Sequence, residues 1–404
     1  MTGNRLFLIA GDYSGDIHAA KVVQALQAEQ PDVVIEAVGG PHLKALGVPL
    51  LSDQSKMGRV GFGAVLGAPY HFWLGQKILG RLQDFQPDAV LLIDYGGFNL
   101  YMAARLKKRG YRVFYFIPPQ VWATRPGRIK KIKASVDHVF CIFPFEKDLY
   151  ESHDIPVTYV GHPLIGELPP PPDRTAFCQT QGLRPEDPIV ALMPGSRKLE
   201  IDYLLPAIIG SLPRLRREQP KAQFVMAQAG SLSDDFFIPR LEAAWRKAGG
   251  QGLPPVTLLK NQNHALLGVA DLMIAASGTV TLEGALYNTP MILMYKLHPL
   301  IYQIAIRLMQ LPCMGLPNIL TDMERPMVPE LWQDQANPDR ISQAALPLFD
   351  PQSEQVQRQL AGFAHIRQSL STGGTPRNVA QGILKLLQQQ PHPQAKENPL
   401  LSAT

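Results

Sequence analysis

Residues 6–27 read LFLIAGDYSGDIHAAKVVQALQ, and this stretch decides the fold. Positions 6–10 form an unbroken apolar run of strand length. A run apolar at every position, not at alternate ones, suits a strand buried on both faces of a parallel sheet. Gly11 and Asp12 end it, and residues 17–27 then place apolar side chains at helical spacing. Strand, glycine turn and helix make up the first half of a βαβ unit.

The pattern recurs. Further strands are expected at 33–38, 89–93, 113–117, 138–142 and 158–160, with a helix at 100–109. Pro169, Pro170, Pro171 and Pro172 stand in a row, and residues 166–188 read as a stiff, extended linker. Beyond it come strands at 189–193, 223–227, 256–259, 272–275 and 291–295 and helices at 203–216, 236–247 and 281–287. The expectation is an α/β chain of two Rossmann-like domains, 1–165 and 189–350, facing a ligand cleft. An amphipathic segment at 351–390, interrupted at Gly373 and Gly374, has no strand after it. It is expected to cross domains or subunits, which makes a homodimer one partner to consider. The Gln-, Pro- and Asn-rich residues 391–404 read as a disordered tail.

With 404 residues, 46% hydrophobic and 18% charged, the chain has the material for two cores. A formal net charge of +5 favours phosphate-bearing or anionic-surface partners and is too small to argue for nucleic acid. Cys141, Cys178 and Cys313 lack metal-ligand spacing, and a sparse, odd set fits a reducing cytoplasm. No secretory signal is read at the N-terminus, and no run reaches the roughly 20 apolar residues of a spanning helix. Membrane contact, if any, is expected to be peripheral. Residues 57–82 mix glycines with Val65, Leu66, Phe72 and Trp73, which fits an interfacial segment or an ordinary buried helix.

Candidate chemistry sits where strands end. Ala10-Gly11-Asp12-Tyr13-Ser14-Gly15-Asp16 is no dinucleotide fingerprint, because its two carboxylates would repel a pyrophosphate. A polar acceptor or a catalytic base fits better, with Asp16 as a helix cap the plainer reading. Asp94-Tyr95-Gly96-Gly97-Phe98-Asn99 and Pro118-Pro119-Gln120-Val121-Trp122-Ala123 end strands in the same way. They offer Asp94, Asn99, Gln120 and Trp122, beside Ser14 and Gly15, as acceptor-side residues or as packed loops. In the second half, Met193-Pro194-Gly195-Ser196-Arg197 joins backbone donors to a guanidinium, a layout for phosphate. At Ala276-Ser277-Gly278-Thr279, the amides of Ser277, Gly278 and Thr279 suit a diphosphate, and Glu283 one turn on suits ribose hydroxyls. Caps and a half-buried helix glutamate are the bland alternative. The basic run Arg125, Arg128, Lys130, Lys131 and Lys133 is a solvated helix face or a lipid-headgroup contact. A lone His162 reads as structural.

Together these segments resemble the lipid-A-disaccharide synthase family. The resemblance also rests on Val38-Gly39-Gly40-Pro41, Phe143-Pro144-Phe145-Glu146, Val160-Gly161-His162-Pro163-Leu164 and Leu316-Pro317-Asn318-Ile319-Leu320, in family order. It implies a GT-B fold, an inverting, metal-independent glycosyltransferase and no cofactor. The implied donor is UDP-2,3-diacylglucosamine and the implied acceptor 2,3-diacylglucosamine 1-phosphate (lipid X). The product would be a β-1,6-linked disaccharide, with UDP released. Lipid-tailed substrates imply a place on the inner face of the cytoplasmic membrane. Asn318 resembles a residue near the donor. One departure stands out: family members usually carry aspartate where this chain has Gly97, in a Pro-Asp-Phe-Asn context, and that aspartate is a favoured base. Here the base must be Asp12, Asp16 or Asp94, the first two favoured because they face the cleft from a helix start. Otherwise the chain is a non-catalytic paralogue binding UDP-sugar or acylated lipid. An epimerase or a peptidoglycan-type glycosyltransferase on the same fold is the third reading.

Overall fold

The fully apolar runs become the middles of two parallel sheets. The computed structural model describes residues 3–53, 68–123, 127–308 and 311–389. The first sheet holds β1 (Arg5–Ala10), β2 (Val34–Gly39), β3 (Leu50–Asp53), β4 (Ala89–Ile93), β5 (Val113–Phe116), β6 (His138–Cys141) and β7 (Val157–Tyr159). Their order is β3-β2-β1-β4-β5-β6-β7, every pairing parallel. The second holds β8 (Ile189–Met193), β9 (Gln223–Gln228), β10 (Thr257–Lys260), β11 (Leu272–Ala276), β12 (Met291–Tyr295) and β13 (Glu330–Trp332). It runs β10-β9-β8-β11-β12-β13, again parallel throughout. Leu6, Phe7, Leu8, Ile9 and Ala10 are all fully buried, as expected of a strand covered on both faces.

Strand order fixes where a ligand can sit. The chain leaves β1 toward β2 on one side, and β4 lies on the other. Connections that diverge from neighbouring strands leave a crevice at the carboxyl ends. The register Ala10↔Ile93 sets the loops starting at Gly11 and Asp94 side by side. In the second sheet Met193↔Ala275 does the same for the loops after β8 and β11.

The chain divides into two units: Met1–Ile165 with Leu370–Thr404, and Gly166–Ser369. The segment at 351–390 is two helices, Glu354–Leu370 and Thr375–Gln389, and the second returns to the first unit. There Arg377 Nε and Gln381 Nε2 donate to Glu29 Oε1 at 2.8 and 2.9 Å, and Asn378 Nδ2 to the Val160 carbonyl at 3.0 Å. The expected linker is not a bare spacer. Within it lies the helix Arg174–Gln181, capped by Asp173, whose carboxylate accepts from Ala176 N at 2.8 Å. Arg174 ties it to the second sheet through Asp271 at 2.8 Å. The short strands β3 and β13 went unread. Residues 391–404, and the candidates Val65, Leu66 and Arg125, lie outside the described residues.

Candidate active site

Asp12, not Asp16, caps the first helix, Tyr13–Glu29, with its Oδ1 accepting from Gly15 N at 2.8 Å. Ser14 Oγ lies 3.1 Å from the same Asp12 oxygen and 2.9 Å from Asp94 Oδ2. A hydroxyl has one proton, so Ser14 can donate to only one of these carboxylates at a time. Asp94 Oδ1 accepts from Tyr95 N at 2.8 Å, and its carbonyl accepts from Tyr115 Oη and Asn99 Nδ2 at 2.9 Å each. Burial raises the Asp94 pKa above its usual 3.8, and the nearby Asp12 charge adds to the rise; Ser14 and the Tyr95 amide oppose it. Two acids with one hydroxyl between them therefore stand at the switch point of the first sheet.

The other first-half candidates have separate roles. Asp16 is 1% exposed. Its carboxylate accepts from the backbone N–H groups of Gly40, His42 and Leu43 at 2.7, 2.8 and 3.4 Å, so it orients the loop after β2 and does not face solvent as expected. Asn99 is fully buried and holds the ends of β1 and β4 through the Ile9 and Ile93 carbonyls. Gly15 sits in the first turn, where an added Cβ would lie 2.9 Å from Asp12 Oδ1. Gln120 is exposed beside the pair's loops. Trp122 is buried and donates from Nε1 to Glu146 Oε1 at 2.9 Å. Glu146 was quoted only as part of a motif. Its other oxygen accepts from Ile142 and Phe143 N, and burial pushes its pKa up to about 7 against those donors. Burial, followed by the His18 charge, lowers the His162 pKa to about 3 and keeps it neutral, in line with a structural part. Tyr95 and His71, bonded at 2.7 Å, were missed; only the fold brings them together.

In the second unit the diphosphate reading shifts by one residue. Ser277 N donates to the Met294 carbonyl at 2.9 Å, extending the β11–β12 ladder, so this amide is not free as expected. Gly278, Thr279 and Val280, at the start of the helix Thr279–Leu286, have amides with no partner among the described residues. At the neighbouring helix Lys198–Glu218 the expected donors are occupied: Glu200 Oε2 accepts from Ser196 and Arg197 N at 2.9 and 3.1 Å. Arg197 bonds Glu200 Oε1 at 2.6 Å through one arm, while its side chain stays 76% exposed. With the Ser196 and Arg197 amides taken, this turn still offers an anion the Arg197 guanidinium. Glu283 is mostly buried, which raises its pKa, and His264 Nε2 at 3.5 Å opposes the rise. Asn318 is fully buried. It pairs with Val328 and with Glu330 Oε1 at 2.7 Å, and Glu330 in turn holds the Met314 and Gly315 amides.

On the helix Ala68–Phe85, Leu74, Ile78 and Leu82 are buried while Phe72 and Trp73 are 52% and 54% exposed. Lys77 lies over the Trp73 ring and Arg105 over Phe72. Among the described residues no helix is long and apolar enough to cross a membrane, and no group of three or more His, Cys, Asp or Glu is placed to hold a metal ion.

Residues 6–378 match the family described as lipid-A-disaccharide synthetase. The chain is 38% identical over 394 residues to the lipid-A-disaccharide synthase of Geobacter sulfurreducens, covering 96% of this chain and 99% of that one. It is 35% identical to the enzyme of Coxiella burnetii (strain CbuG_Q212), covering 96% and 100%. In fold it resembles a UDP-N-acetylglucosamine 2-epimerase from Listeria monocytogenes, with TM-score 0.64, 13% identity and coverage of 98% and 100%. It also resembles MurG of Acinetobacter baumannii, with TM-score 0.55, 15% identity and coverage of 96% and 100%. The two parallel sheets are those of a GT-B glycosyltransferase, and by sequence over nearly its whole length the chain belongs to the lipid-A-disaccharide synthase family.

Proposed function

We propose that the protein transfers 2,3-diacylglucosamine from its UDP derivative to the 6-hydroxyl of 2,3-diacylglucosamine 1-phosphate, with inversion, without a metal ion, on the inner face of the cytoplasmic membrane. The Asp12–Ser14–Asp94 arrangement is the observation that carries this reading. As the new glycosidic bond forms, the acceptor hydroxyl must lose its proton. A base is most effective with a pKa moved toward the working pH, and burial and the Asp12 charge move Asp94 that way. Asp94 is the proposed base, with Ser14 and Asp12 holding it in place. The leaving UDP gains negative charge as the sugar departs. The amides of Gly278, Thr279 and Val280, the positive end of their helix and Arg197 supply the compensating charge. Glu283, oriented by His264, accepts from the ribose hydroxyls. Exposed Phe72 and Trp73 suit an enzyme whose substrates carry acyl chains.

The test is UDP release and disaccharide formation by purified protein given both acylated substrates in the presence of a chelator. No product from demonstrably folded protein defeats the proposal. Arg197→Ala and Glu283→Ala should each lower donor use by about 10²-fold; wild-type rates in both would defeat the donor assignment.

A further inference from the structure

A groove of about 800 Å³ runs between the helices Gly96–Lys108 and Arg128–Ser135. None of its lining has a place in the mechanism above. It begins at Gly96 and Gly97, two and three residues past Asp94, and continues along Leu100, Tyr101 and Ala104 on one wall and Ala134 on the other. This wall is apolar. The rim is basic: Arg105, Lys108, Arg128 and Lys131 line it. Among the described residues, none of these four has a carboxylate partner. Lys107, also at the rim, pairs with Asp137. Arg105 lies 4.4 Å over Tyr101 and 5.5 Å over Phe72, so the exposed aromatics run into the groove without a break. A Cβ at Gly97 would meet nothing within 4 Å, so the groove is open at that end.

An apolar trough with an unpaired basic rim fits an amphiphile that carries both a hydrocarbon chain and an anion. The 13 residues of the first wall span about 20 Å at 1.5 Å per residue, enough for an extended chain rather than a single ring. We infer that this groove holds an acyl chain of the acceptor, with the acceptor's phosphate on the basic rim at Arg128, and that it measures acyl length. The inference rests on the reading of the acceptor as an acylated sugar phosphate. The groove's lining begins two residues past the proposed base, so a chain lying in it would leave the sugar toward the end of the groove from which Asp94 follows on in the chain. A bare membrane surface would need the same chemistry outside but not an apolar trough that begins two residues past Asp94.

The experiment uses the full chain in micelles of a neutral detergent, with acceptors whose acyl chains shorten one methylene at a time. For wild type, kcat/KM for acceptor should fall by up to about fourfold per methylene removed, the factor equivalent to ~0.8 kcal/mol for a buried CH₂. Ala104 and Ala134 are exposed, so Ala104→Trp and Ala134→Trp should fold while filling the groove from opposite walls. Each should flatten the dependence on length, with the longest acceptors losing most, and leave KM for donor unchanged. Arg128→Gln should raise KM for the phosphorylated acceptor about tenfold and affect a dephosphorylated one less. A length dependence untouched by both tryptophans overturns the groove assignment. So does an equal loss for all chain lengths accompanied by weaker binding to anionic vesicles, which would make the face a membrane surface. If wild type turns over none of the acceptors, the reading of the function fails and takes the groove with it.

Discussion

Asp94 and Tyr95 both have φ of 51°, in the left-handed region that non-glycine residues seldom occupy. Strain of this kind costs on the order of 1–3 kcal/mol per residue and persists only where the surroundings enforce it. Here the Tyr115 hydroxyl and the Asn99 amide grip the Asp94 carbonyl, and the Tyr95 ring packs against Gly11, where a Cβ would come within 2.0 Å. The outcome is a carboxylate aimed at Ser14. Asp94→Asn should lower kcat by about 10²–10⁴-fold while acceptor still binds, as measured by turnover and by calorimetry. The ionised form is the active one, so kcat/KM should fall as pH drops through a pKa above the usual 3.8. Asp12→Asn keeps the helix cap but removes the neighbouring charge, so that acidic limb should move to lower pH. Gly97 has room for a side chain, and Asp94→Asn with Gly97→Asp should regain part of the lost rate. Glu146 gives a separate pH signature. Unfolded it ionises near 4.5, and folded it keeps its proton up to about 7. The folded state thus binds the extra proton between those values, and stability falls across that window as pH rises, by on the order of 3 kcal/mol, then levels off. Denaturant midpoints at a series of pH values should show this slope in wild type and a flatter one in Glu146→Gln.

At the scale of elements, two helix starts that look alike in sequence differ in what they leave open. Before the helix Lys198–Glu218, the amides of Ser196 and Arg197 are closed by Glu200, and Gly195 must be glycine because its φ is +114° and a Cβ would meet Glu200 Oε2 at 2.5 Å. The helix Thr279–Leu286 has no such internal acceptor. Proline is well tolerated at a first helical position, since the missing N–H is one the helix does not use. Thr279→Pro therefore removes one of the amides proposed to hold the diphosphate, with little change in melting temperature. It should weaken UDP binding by about tenfold or more relative to Thr279→Ala, read by calorimetry; equal affinity would show that this turn does not hold the diphosphate. On the helix Ala68–Phe85, Phe72→Ser with Trp73→Ser should reduce co-sedimentation with anionic vesicles and leave the fold intact, because both rings are more than half exposed.

At the scale of the molecule, the central strands were legible because they are apolar at every position, and β4, β8 and β12 lie where their apolar runs do. The edge strands β3 and β13, four and three residues long and largely half-buried, carry no such run. The crevice loops could be read as strand ends followed by glycine. Which acid in each loop faces solvent could not. Asp12 and Asp16 are one helical turn apart, and only the return of β2 beside β1 puts the Gly40 amide on Asp16. The Ser277 amide likewise looked free until the Met294 carbonyl came alongside it. The returning helix Thr375–Gln389 approaches β6 so closely that a Cβ at Gly382 would lie 2.6 Å from the Phe140 ring. Gly382→Leu should destabilise the first unit by about 1–3 kcal/mol and leave the second unit's unfolding transition in place, as seen by calorimetric melting. The same return sets the timetable of synthesis. A ribosome releases the strands of the first sheet before the second unit is made, but the helix that packs against that sheet comes after it, so the first unit must wait, incomplete, while the inserted one is translated and folds. Any pause or cleavage in the intervening 204 residues would strand a half-clad sheet.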